Sequence, residues 1–275
     1  EAHSNLGIIY HKLGKLNEAE KSYRGAIELK YDYVDVHYNL GILLQEQGRL
    51  SEAGESYKKA LEFKSDFAEA QTNLSLVLRQ NRLLNILKER KSTKSFKSNL
   101  RPTSNPIILK RKVESELLTT LYKLSSIKVD KTKDARYGNG LCSDFQLFDN
   151  DVPIIKKVEK DLIKIVGQAI KSDIYIMDSF FNILKAGSGS TAHNHINNFD
   201  KFRGLSNQKY SLTYYLTTGD QSSSEPGTLK LYEPNNEILP SKGSIIIIPS
   251  SRRHSAVYSG VLDRVMIGVN FYTLI

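Results

Sequence analysis

The chain is poor in what covalent cross-links and membrane spans require. Its 275 residues include one cysteine, Cys142, so no internal disulfide can form. That scarcity points to a reducing compartment, with a cytoplasmic location as the expectation. A lone Cys142 reads as a buried structural thiol in preference to a nucleophile. No apolar run approaches the roughly 20 residues of a membrane helix, so no membrane partner is expected. No signal-peptide pattern opens the chain, and Glu1-Ala2-His3 lacks an initiator methionine, as expected of a fragment. Histidine is also scarce: there are six, in two groups of different character, His3, His11 and His37 early and His193, His195 and His254 late.

Charge of one sign is in excess, with a formal net charge of +9, but the excess is local. Residues 1–87 carry 11 basic against 12 acidic side chains, residues 88–112 carry 9 against 1, and residues 113–275 carry 19 against 17. The basic stretch carries no aromatic-interleaved platform, its one aromatic being Phe96, and is diluted by Ser, Asn and Pro. It reads as a solvated linker over 88–105 and argues against nucleic acid as a partner.

The first third repeats itself. Asn5-Leu6-Gly7 returns as Asn39-Leu40-Gly41 and as Asn73-Leu74-Ser75, a period of 34. Ala19, Tyr23 and Ala26 return as Ala53, Tyr57 and Ala60. Apolar residues within each unit follow a helical period, and Asn17 and Ser51 stand where a second helix would start. The pattern resembles the tetratricopeptide repeat, in which small and large residues interlock paired antiparallel helices. Residues 1–87 are then two repeats plus a capping helix over about 69–84. The resemblance puts His3 and His37 where that pattern prefers Trp, so they are expected to pack; His11 has no partner at ligand spacing and is expected on the surface. Tyr31 and Ser65 replace the usual Pro. What the fold implies is a groove for a protein or peptide partner.

The remainder, 106–275, starts with a strand candidate at Pro106–Leu109 and a helix over 112–125. A turn signal, Tyr137-Gly138-Asn139-Gly140, precedes a strand-like Phe145–Phe148, and a helix follows over 153–171. Seven strands are then expected: 174–184, 192–196, 210–216, 228–232, 244–248, 254–258 and 264–272. Short strands with Gly-, Pro-, Asn- and Ser-rich turns predict an α+β jelly roll with flanking helices. The strand period places His193 and His195 on one face. It also places Arg264, Met266, Gly268 and Asn270 together, opposite an apolar face of Val265, Ile267, Val269 and Phe271. A hairpin from 254–258 to 264–272 would bring His254 and Arg264 to one mouth. Neutral imidazoles suit a transition metal, and a guanidinium suits a carboxylate.

Residues 187–273 resemble the 2-oxoglutarate- and Fe(II)-dependent oxygenases, in the bacterial and phage branch near the prolyl hydroxylases. The resemblance rests on His193-x-His195, Ser211-Leu-Thr-Tyr214-Tyr215-Leu216, the Gly227–Pro234 segment, Pro240-x-x-Gly243, Pro249-Ser-x-x-x-His254, and Arg264 through Val269-Asn270. Residues 134–148 share the branch's N-terminal texture. It implies an enzyme using Fe(II), 2-oxoglutarate and dioxygen, with ascorbate an admissible reductant, that hydroxylates a protein or peptide side chain. It implies Arg264, Asn270 and Tyr214 as co-substrate-binding residues. Most of the superfamily has a carboxylate where this chain has His195. Three readings are open: His193, His195 and His254 hold the metal, Asp200 supplies the carboxylate, or His195 serves beside a two-histidine site. The three-histidine set is favoured by the shared face. The competing function is a repeat-based binding module whose jelly roll senses metal or dicarboxylate without catalysis. A three-histidine dioxygenase that needs no 2-oxoglutarate is disfavoured by Arg264.

Overall fold

The computed structural model describes residues 1–93, 105–128 and 140–275. The chain divides into two compact units, 1–95 and 96–275. Residues 137–139 of the turn signal and most of the basic linker lie outside the described residues.

The first unit consists, among the described residues, of antiparallel helices α1 (Ala2–Lys12), α2 (Leu16–Leu29), α3 (Val34–Glu46), α4 (Leu50–Phe63) and α5 (Ala68–Thr93). The repeat pairs interlock as small against large. A β-carbon on Gly7 would stand 2.5 Å from the Tyr23 ring, and one on Gly41 2.5 Å from the Tyr57 ring. Gly14 and Gly48 take positive φ just after α1 and α3 and turn the chain into the next helix. Three local expectations change. The second helices begin at Leu16 and Leu50, capped at Lys15 and Arg49 without a side-chain bond, so Asn17 and Ser51 are not caps. Helix α5 runs to Thr93, so the stretch expected to be linker from 88 starts as helix. His37 is buried, with Nε2 2.7 Å from the Tyr31 carbonyl, whereas His3 is exposed and lies along Gly25. His11 is half-buried against Glu46 at 2.8 Å.

In the second unit, α6 (Ser115–Lys128) and α7 (Pro153–Ile170) are the long helices. Helix α7 has Pro at its start, a left-handed Lys171 at its end, and Ile154, Ile155, Val158, Leu162, Val166 and Ile170 buried on one face. This face and Leu117 and Leu121 of α6 join a core with Phe181, Ile183, Leu212, Tyr214, Ile245, Ile247, Val265, Ile267, Val269 and Phe271. Those are alternate residues of a six-stranded sheet. Its strands are β1 (Ile107–Lys110), β2 (Leu141–Cys142), β3 (Ile174–Leu184), β5 (Lys209–Tyr215), β8 (Ser244–Pro249) and β10 (Arg264–Thr273), in the order β1-β8-β5-β10-β3-β2. A four-stranded sheet contains β4 (Ser188–His193), β6 (Leu229–Leu231), β7 (Asn236–Ile238) and β9 (His254–Tyr258), in the order β4-β9-β6-β7. The short helix α8 (Asn198–Arg203) lies between β4 and β5. All described ladders are antiparallel. The fold is a helical repeat region followed in the chain by a domain of two antiparallel sheets with flanking helices.

The structure departs from the strand expectations at informative places. Phe145–Phe148 is no strand; it leads into a 3₁₀ turn, Leu147–Asp149, tied to β3 through Ser179. β9 and β10 form no hairpin with each other. They belong to different sheets, so His254 and Arg264 line one cavity from different sheets instead of meeting in a hairpin. β4 ends at His193, so His195 lies beyond the strand.

Candidate metal centre

The two sheets enclose a cavity lined by alternate residues of their inner strands. Arg264, Met266, Gly268 and Asn270 of β10 face it, as do Ser211, Thr213 and Tyr215 of β5 and Phe180, Asn182 and Leu184 of β3. From the smaller sheet come His193, His254, Ala256 and Leu229, with His195 from the segment after β4. Gly268 does make room for a close approach, but the Phe180 ring uses it: a β-carbon there would lie 2.3 Å from that ring.

His193, His195 and His254 converge. Their candidate ligand atoms all lie within 4.8 Å of one another, and they are the set of metal-binding type found among the described residues. His193 and His254 are register partners across β4 and β9, beside an irregularity between Ser190 and His193. His195 arrives differently: its backbone N–H donates to the Ser250 carbonyl at 2.9 Å, and its Nε2 lies 3.3 Å from His254 Nε2. The Nδ1 atoms of His193 and His254 sit 2.7 and 3.1 Å from the carbonyls of Thr191 and Arg252. An Nδ1–H donated to a carbonyl leaves Nε2 unprotonated and available to a metal. Burial, helped by the nearby His193, pushes His254 down to about 4 against the opposing pull of the Arg252 carbonyl. It is a neutral imidazole at pH 7. The donor set therefore fits a borderline cation such as Fe(II) or Zn(II).

Arg264 lies at the cavity's other end, 1% exposed. Nη1 donates to the Pro226 carbonyl at 2.9 Å, and the guanidinium stands 5.0 and 5.8 Å from the Tyr215 and Tyr258 ring centroids. Burial lowers its pKa, and Tyr215 and Tyr258 oppose the shift; a guanidinium nevertheless remains charged. Among the described ion pairs none includes Arg264. A buried cation facing a cavity without a carboxylate is a site for an anionic ligand. Gly227, at φ +78°, lets Nη1 lie where its β-carbon would be, at 1.5 Å.

The other expected site residues divide. Asn270 reaches the cavity, but its amide is engaged: Oδ1 accepts from Ser211 Oγ at 2.7 Å and Nδ2 donates to Asp178 at 2.6 Å. Tyr214 is a correction. It points to the opposite face, into the helix-covered core, where its hydroxyl meets Arg111 at 3.0 Å and the Lys112 carbonyl at 2.9 Å. The neighbouring Tyr215 faces the cavity, because adjacent strand residues point to opposite sides. Asp200 does not reach the histidines. It is fully buried, with its carboxylate taken by Lys209, Tyr272 and the Asn197 N–H. The structure adds Tyr215, Ser211 and Asn182 to the cavity wall and Tyr258 beside Arg264, none of which the sequence marks as a site residue. The parity of Ser211, Thr213 and Tyr215 was the available signal for two of them.

Residues 181–272 match the 2OG-Fe(II) oxygenase superfamily. Residues 7–48 match the TPR repeat, and 34–67 the tetratricopeptide repeat. The chain thus carries tetratricopeptide repeats followed by an enzymatic 2OG-Fe(II) oxygenase domain, a superfamily that uses Fe(II) and 2-oxoglutarate. No curated protein sequence matches the chain. Similar solved structures include a Pseudomonas putida prolyl-4-hydroxylase, 14% identical, covering 70% of this chain and 98% of that one with a TM-score of 0.44. A Trichoplax adhaerens prolyl hydroxylase in complex with a hypoxia inducible factor peptide fragment is 14% identical, with coverages of 72% and 92% and a TM-score of 0.47. The viral collagen prolyl hydroxylase of Paramecium Bursaria Chlorella virus-1 is also 14% identical, with coverages of 61% and 96% and a TM-score of 0.46. No helix of the described residues is long and apolar enough to cross a membrane.

Proposed function

We propose that this chain is a 2-oxoglutarate- and Fe(II)-dependent hydroxylase of a protein or peptide side chain. His193, His195 and His254 would hold the metal, Arg264 would take the far carboxylate of the co-substrate, and the repeats would recruit the partner. One observation carries the reading: a buried guanidinium without an acidic partner shares a cavity with three converging imidazoles. When bound, the metal supplies oxygen activation coupled to decarboxylation of 2-oxoglutarate to succinate and carbon dioxide.

The side chains have separable tasks. The Thr191 and Arg252 carbonyls orient the imidazoles and hold the Nδ1 protons. Arg264 binds and aligns the dicarboxylate. The Tyr215 and Tyr258 rings cover the guanidinium and keep water from competing for it. Asn270, fixed between Ser211 and Asp178, shapes the wall. The test is succinate formation on adding Fe(II) and 2-oxoglutarate, with loss in His254→Ala and Arg264→Ala.

His195 in the carboxylate's usual place supports a second reading, a repeat-based binding module with a metal- and dicarboxylate-sensing jelly roll. Tight 2-oxoglutarate binding without succinate formation, with and without candidate protein partners, would favour it.

A further inference from the structure

The five-residue step from His195 to Asp200 contains a device that the metal reading does not use. His195 lies past the end of β4, so no strand ladder fixes it. Its backbone tie is to the Ser250 carbonyl at 2.9 Å. Ser250 in turn donates its N–H to the Lys209 carbonyl at 2.9 Å. Lys209 Nζ reaches back to Asp200 Oδ2 at 2.8 Å. The restraints form a closed circuit: His195 to Asp200 along the chain, then Lys209, Ser250 and His195 again.

The Asp200 corner is fully engaged. Oδ2 also accepts the Asn197 N–H at 2.8 Å, Asn197 Oδ1 accepts the Asp200 N–H at 3.0 Å, and the Tyr272 hydroxyl donates to Oδ1. The Asp200 and Lys209 side chains are 0% and 4% exposed. Removing both charges from water is costly, and apolar replacements of such pairs are often no less stable. Stability is therefore a weak reason for this pair, and a defined geometry is the better one.

We propose that Asp200, with Lys209 and Tyr272, is a positioning residue that fixes His195 for the metal and is not itself a ligand. The proposal rests on the three-histidine reading. It turns an irregular segment into one held to two strands of the larger sheet, at Lys209 on β5 and Tyr272 on β10.

The experiment measures Co(II) affinity by visible absorption titration on the full chain, together with thermal midpoints, for wild type, Asp200→Asn, Tyr272→Phe and the paired Asp200→Leu/Lys209→Met. Wild type and a Ser222→Ala control should bind one Co(II) per chain at the histidines. Asp200→Asn and Tyr272→Phe should each weaken Co(II) binding by about tenfold, the order found when groups supporting metal ligands are removed. Their Co(II) spectra should shift from that of wild type. The paired variant should recover the thermal midpoint without recovering affinity, which separates positioning from bulk stability. If Asp200→Asn fails to fold, Tyr272→Phe decides. Unchanged Co(II) affinity and spectrum in every folded variant, or full recovery of affinity in the paired variant, would overturn the proposal. A folded wild type that binds no Co(II) would overturn the metal centre and this proposal with it, whereas metal binding without 2-oxoglutarate binding would count against the proposed reaction alone.

Discussion

Arg264 brings a charge into a cavity where little else can neutralise it, and its neighbours are shaped around that fact. Charge-assisted bonding to a carboxylate in such a place contributes roughly 1.5–3 kcal/mol. Arg264→Ala should therefore weaken 2-oxoglutarate binding about tenfold or more, since about 1.4 kcal/mol is tenfold, and leave metal affinity nearly unchanged. Calorimetric titration of the metal-loaded protein checks this, and equal affinities would remove Arg264 from the site. Gly227→Ala should give the same loss with the arginine still present, because its β-carbon would stand 1.5 Å from Nη1 at a φ that L-residues rarely adopt. His254→Ala should abolish stable metal binding, as two imidazoles make a weak site. Unaltered metal stoichiometry in that protein would exclude His254 as a ligand.

At the scale of elements, the junction of β1 with α6 and α7 is an ionic clamp. Arg111, 8% exposed, meets Glu114 at 2.8 Å and Asp161 at 2.8 Å, and Lys157 meets Glu114 at 3.0 Å. Burial works to raise the Glu114 carboxyl, but hydrogen bonds from Arg111 and Lys157 outweigh it and bring it down to about 2 from 4.5. A depressed folded-state value means that Glu114 stabilises the fold fully above about pH 4.5 and loses that contribution as pH falls through about 2. Acid unfolding of the wild type should show this window, and Glu114→Gln should flatten it. An unchanged pH dependence would exclude the clamp as the cause. In the repeats, Gly41→Ala pits two effects against each other. Helix propensity favours alanine by about 1 kcal/mol, while overpacking a fixed ring costs about 1–3 kcal/mol. With Tyr57 fully buried against Gly41, overpacking should win and the repeat transition should melt earlier.

On the scale of the molecule, two compact units in one chain suggest a division of labour. Removing residues 1–90 should leave substrate-independent 2-oxoglutarate decarboxylation largely intact. It should raise KM for the native partner, because binding energy remote from the reacting atoms is lost. A truncated protein that folds but cannot bind 2-oxoglutarate would make the repeats part of the catalytic core.

Much of this was legible in the sequence because it is periodic. The 34-residue repeat, the α7 stripe and the alternation of β10 are local regularities, and each maps directly onto the face it buries. The residue types of the centre, imidazoles and a guanidinium, were legible for the same reason: chemistry is carried by side-chain identity. What the tertiary structure decided is where non-local pairing chooses between equal local options. Tyr214 and Tyr215 are adjacent aromatics, and only the register against β8 and β10 settles which one faces the cavity. A hairpin and a pair of facing sheets would both bring His254 near Arg264, and sheet order selects the second. Asp200 looks like a spare ligand until Lys209 and Tyr272 arrive from two strands to hold it. Sequence spacing records distance along the chain, whereas burial and partner choice depend on segments far apart in it.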